Sequence, residues 1–108
     1  MIEQIDVGEY DGSGKLPVAT ILVTVRELEE SKGLRFHDDR DDLDDFKWAP
    51  IRLSSGTDYA LVHHAQAPER GIAVYGNPER ADLGELAGDL GIPREALIPA
   101  RPPSGPAK

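Results

Sequence analysis

The chain has 108 residues, room for one domain, of which 39% are hydrophobic and 30% charged. Its formal net charge of −8 argues against nucleic acid or an anionic membrane as partner, since both need a basic footprint. The absence of cysteine excludes disulfides, thiolate metal sites and a cysteine nucleophile together.

A small domain without disulfides is expected in the cytoplasm. The stretch Met1 to Asp6 has neither the basic start nor the apolar segment of a signal peptide, and the apolar run Val18 to Val25 is too short to span a bilayer.

In chain order, Ile2, Ile5 and Val7 predict a short first strand, and the glycines and Asp-Gly pair of Gly8 to Lys15 predict a turn. Residues 17 to 32 are read as a helix. Val18, Ile21, Leu22, Val25 and Leu28 follow the spacing of an amphipathic face, with Pro17 at the first helical position and Gly33 past the end. The β-branched run Val18 to Val25 also suits a strand, which is the competing reading. Trp48 to Leu53 and Tyr59 to His64 predict a hairpin around Ser54 to Asp58, with Pro50 marking an edge or an irregular start. Ile72 to Tyr75 predicts a third strand. Leu83, Leu86, Ala87 and Leu90 then form a helical stripe over residues 79 to 90, capped by Asn77 and closed by Gly91. Residues 93 to 98 add a further turn, and the proline-rich residues 99 to 108 read as a flexible tail to a single domain of residues 1 to 98. The expected fold is α+β: a small, mainly antiparallel sheet with two helices on one face, in the order β-α-β-β-β-α.

The segment that departs furthest from an average domain lies between Arg35 and Trp48. Asp38, Asp39, Asp41, Asp42, Asp44 and Asp45 fall within eight residues, opposed there only by Arg40. Carboxylates so close repel one another and cannot be buried unpaired, so the segment is expected to be irregular, mobile and solvated, or to face a basic partner. A calcium loop is a poor match, because no glycine supplies the sharp turn and no glutamate closes the site. Phe46 and Trp48 flank the acids as candidate interface anchors.

Other motifs fall short. Gly12-Ser13-Gly14-Lys15 lacks the first glycine and the final Ser or Thr of a phosphate loop, with Glu9 and Leu16 in their places. The segment Leu83 to Pro93 faintly resembles the start of a helix-turn-helix, but the second helix has only Arg94 to Ile98 before Pro99. Ser54-Ser55-Gly56 is no nucleophile elbow. On a strand, His63 and His64 point to opposite faces and cannot share a metal. The expectation is a non-catalytic protein-binding module of immunity, inhibitor or regulatory type, whose Asp-rich segment meets a basic protein surface without metal or cofactor. Self-association as a homodimer stays open. A small metal-dependent or acid–base enzyme using His37, His63 or His64 with nearby aspartates is the alternative.

Overall fold

A computed structural model describes residues 2–40, 45–65 and 71–99. The architecture is α+β, two helices with a seven-stranded antiparallel sheet. In chain order the elements are β1 (Glu3–Gln4), β2 (Leu16–Ile21), α1 (Val25–Lys32), β3 (His37–Arg40), β4 (Asp45–Arg52), β5 (Asp58–His64), β6 (Ile72–Gly76), α2 (Leu83–Leu90) and β7 (Leu97–Pro99). Short 3-10 turns lie at Val7–Glu9 and Arg94–Ala96. The strands run in the order β1-β4-β5-β6-β2-β7, with β3 also paired to β4.

The predicted helix over residues 17 to 32 is corrected here. Its first part is strand β2, which lies between β6 and β7, and only Val25–Lys32 is helical. Two local causes decide this. Val18, Thr20 and Ile21 are β-branched and fit a half-buried pleat. A capping box then starts the helix at Thr24, whose hydroxyl accepts from the Glu27 N–H at 3.0 Å while the Glu27 carboxylate accepts from the Thr24 N–H at 3.1 Å. Pro17 is tolerated because the register with β6 shifts between Pro17 and Ala19, an irregularity of the kind that admits proline.

The second predicted helix starts later than residue 79. Asn77 forms a turn, its side chain accepting from the Glu79 N–H at 2.9 Å, and Asp82 caps α2 by accepting from the Glu85 N–H at 3.0 Å. Both helices end as the glycines forecast, with Gly33 and Gly91 left-handed at φ 68°.

Pro50 lies within β4, whose second edge is shared by two short strands. β3 pairs with residues 45–48 of β4 and β1 pairs with Ile51 and Arg52. The Pro50 carbonyl accepts from the Ile5 N–H at 3.1 Å, so its amide side faces the same edge, at the join between β3 and β1. A missing donor there breaks no continuous ladder.

Alternation along the strands builds the core. Ile21 of β2, Ile51 of β4, Tyr59 and Leu61 of β5 and Ile72 and Val74 of β6 form one cluster with Leu28 of α1 and Leu86, Ala87 and Leu90 of α2. Tyr59 is fully buried and its hydroxyl accepts from the Asp82 N–H at 3.0 Å, tying the sheet to the start of α2. The chain opposite must be thin: a Cβ on Gly76 would stand 2.6 Å from the Tyr59 ring. The β4–β5 turn is fastened to the same helix. Ser54 donates to Asp89 and Ser55 to Glu85, each through both backbone N–H and hydroxyl, at 2.8–3.0 Å. The Ser54 bonds hold the Asp89 carboxyl below its ordinary pKa, the backbone N–H first among the causes. Pro99 pairs with Ala19 as the last residue of β7, and residues 100–108 of the expected tail lie outside the described residues.

Candidate functional site

The acidic segment enters the sheet. Asp38 and Asp39 are in β3 and Asp45 opens β4, in the register His37 opposite Trp48, Asp38 opposite Lys47, Asp39 opposite Phe46 and Arg40 opposite Asp45. The irregular chain expected over residues 38 to 45 is therefore corrected for 38–40 and 45, while Asp41, Asp42 and Asp44 lie outside the described residues. The cause is cross-strand charge pairing that local sequence does not display. Lys47 Nζ stands 2.6 Å from Asp38 Oδ1, and Arg40 Nε stands 2.6 Å from Asp45 Oδ1. Both pairs are exposed, so they relieve the repulsion without adding much to stability. The hydrogen bond with Asp38 raises the Lys47 pKa and keeps the ammonium charged.

Strand alternation sorts the hairpin onto two faces. Asp38, Arg40, Asp45 and Lys47 share one, and His37, Asp39, Phe46 and Trp48 the other. The register with β5 and β6 continues the second face through Ala60, Val62, His64 and Tyr75. The buried cluster lies on the first face, which carries Ile51, Leu61 and Val74. On the second, Phe46, Trp48, Val62, His64 and Tyr75 are only half-buried. They line a groove of about 350 Å³ together with Asp39, Tyr10 and Lys15.

The aromatic side chains of this face are organised. Tyr10 meets Trp48 edge-on, with ring centroids 5.7 Å apart and planes at 62°. His37 packs against the same indole at 6.4 Å, and Phe46 against His64 at 5.9 Å. Lys15 Nζ stands 5.4 Å from the Tyr10 ring centroid while donating to the Asp11 carbonyl at 2.8 Å. Burial first, then repulsion from Asp58 and Asp11, pushes the Tyr10 hydroxyl up to about 12. A second cleft of about 700 Å³ lies at the hairpin end, where the paired Asp38, Arg40, Asp45 and Lys47 meet His63.

Of the expected site residues, Asp39, Phe46 and Trp48 come together in the groove, and Asp38 and Asp45 point to the opposite face in ion pairs. Trp48 packs on the face away from the main cluster. His63 and His64 take opposite faces, as strand alternation requires. Among the described residues no group of three or more His, Asp or Glu side chains is placed to hold a metal ion. The glycine turn before Lys15 is closed by Asp11, whose carboxylate accepts from the Ser13 N–H at 2.9 Å. Among the described residues, the helical structure that follows α2 is the single turn Arg94–Ala96, too short for a recognition helix. Sequence reasoning missed Tyr10 and Tyr75 as neighbours of Trp48. Neither carries a local signal, since only strand order and the loop before β2 bring them to this face. None of the described helices is long and apolar enough to cross a membrane.

Comparison with protein-family models, with curated proteins and with solved structures finds no match to this chain.

Proposed function

We propose that this protein is a non-catalytic binding module that meets a basic protein surface through the β3–β4 hairpin. The observation that carries this reading is the juxtaposition of Asp39 with the half-buried Phe46 and Trp48 on one open face, in a segment that has six aspartates between residues 38 and 45. Aromatic anchors beside a charged rim are the ordinary composition of a protein interface. The acids steer the encounter, and the rings supply area that leaves water when the partner docks. The partner is a protein of opposite charge; a nucleic acid or anionic membrane would be repelled by a chain of net charge −8.

The test is kinetic. A partner isolated from the native host is assayed against the intact chain and a variant with Asp39, Asp41, Asp42 and Asp44 replaced by asparagine. Association with the intact chain is expected to slow steeply as salt rises from low to physiological, where the Debye length falls from about 30 Å to about 8 Å. The asparagine variant should associate slowly at every salt concentration and unfold at an unchanged midpoint. Association that ignores both salt and the four substitutions would falsify docking by the acidic hairpin.

A further inference from the structure

The proposed docking reading leaves unstated what enters the groove between Trp48, Phe46 and Tyr75. We infer that the groove receives an arginine side chain of the partner, its guanidinium laid on the Phe46 and Trp48 rings and paired with the Asp39 carboxylate. This inference rests on the docking reading, because it specifies the chemistry at the centre of the same surface.

Three observations converge. The groove holds about 350 Å³, and Tyr10, Phe46, Trp48 and Tyr75 are among the residues lining it. Tryptophan, tyrosine and phenylalanine rings attract a cation to their faces through their quadrupole. The chain already uses that attraction once, since Lys15 Nζ stands 5.4 Å from the Tyr10 centroid. Asp39 shares the face with Phe46, its direct cross-strand partner, so a carboxylate adjoins the rings. Lys15 also lines the groove, but its ammonium already donates to the Asp11 carbonyl and stands over the Tyr10 ring, so the charge that a guest on Phe46 meets is the Asp39 carboxylate, which disfavours an anion. The Asp39 carboxylate accepts from the Arg40 N–H at 2.8 Å and is otherwise exposed, so a purely apolar guest would strip water from the rest of it with no donor in exchange.

The groove's shape chooses among cations. Phe46, Trp48, Val62, His64 and Tyr75 are all half-exposed, so the site is an open shelf and not an enclosed box. A planar guanidinium stacks on such a shelf and still presents an N–H edge to a carboxylate, whereas an ammonium offers no plane to stack.

Trp48 is the chain's single tryptophan, so its fluorescence reports the groove without ambiguity. The full chain is titrated with the capped peptides acetyl-Gly-Arg-Gly-amide, acetyl-Gly-Lys-Gly-amide and acetyl-Gly-Leu-Gly-amide. The arginine peptide is expected to change Trp48 emission saturably and to bind roughly two- to fivefold tighter than the lysine peptide, the range of a half-exposed cation–π contact. Asp39→Asn should weaken the arginine peptide, and Phe46→Leu, which keeps an apolar side chain, should abolish its advantage over lysine. Equal binding of the arginine and lysine peptides overturns the inference, as does tighter binding of the leucine peptide or no change in Trp48 emission with any peptide at millimolar concentration. The docking reading fails separately, through the salt and asparagine responses of the whole partner. A partner steered by the aspartates but indifferent to Phe46→Leu would leave that reading standing and remove this one.

Discussion

Tyr10 joins the loop before β2 to the open face, and its hydroxyl titrates accordingly. Its pKa is raised to about 12 by burial, then by Asp58 and Asp11, whereas an unfolded tyrosine titrates near 10. The folded state therefore holds the proton more tightly. The resulting stability is complete below about pH 10 and is lost as the pH rises towards about 12. Tyr59 adds to this loss, because its own burial also raises its pKa. Tyr10→Phe removes one of the two groups, so its melting temperature should fall less steeply than that of the intact protein over this window. Parallel melting curves for the two proteins from pH 9 upward would show that Tyr10 is not held in its protonated form.

At the scale of elements, the conversion of residues 17–21 from expected helix to strand turns on where α1 begins. Leu22 has the spacing to continue an apolar helical face, but it is 52% exposed, and the capping box at Thr24 sets the boundary beyond it. Thr24→Ala removes the hydroxyl that satisfies the Glu27 N–H and should cost about 1 kcal/mol. Thr24→Ser, which retains the acceptor, should recover most of this. The check is the urea midpoint at unchanged slope. Equal midpoints for the alanine and serine variants would place the helix start elsewhere. The same box was present in the sequence as Thr24-Val25-Arg26-Glu27. A periodicity that happened to fit residues on either side of it masked the signal.

At the scale of the whole molecule, α2 is held to the sheet by burial and by the hydrogen bonds of Ser54 and Ser55 in the β4–β5 turn. Leu86 is 0% exposed and shares the central cluster with Tyr59, Leu61 and Val74. Leu86→Ala should destabilise the protein by about 2–5 kcal/mol, the range for a leucine deleted from a packed core. Leu16→Ala is the matched control: Leu16 is 54% exposed, and its loss should stay within about 0.5 kcal/mol. Denaturant unfolding decides between them, and similar losses at the two positions would mean that α2 does not close the core. Asp38, Asp39 and Asp45 stand outside this cluster, so their charge can be altered without disturbing what holds the fold together.

Local chemistry determined much of this protein. The hairpin of β4 and β5, strand β6, the stripe Leu83, Leu86, Ala87 and Leu90, and the glycine ends of both helices follow from period, turn residues and caps that neighbouring residues supply. Phe46, Trp48 and the aspartates were legible as the place to look, because composition there is extreme. Tertiary structure decided the rest. Pairing across β3 and β4 sorted Asp39 into the aromatic groove and Asp38 and Asp45 into ion pairs on the opposite face. Sheet order brought Tyr75 of β6, and the loop before β2 brought Tyr10 and Lys15, to the same groove. Such long-range contacts depend on strand register and order, which fix the face and the neighbours of each side chain but leave no mark in its local sequence.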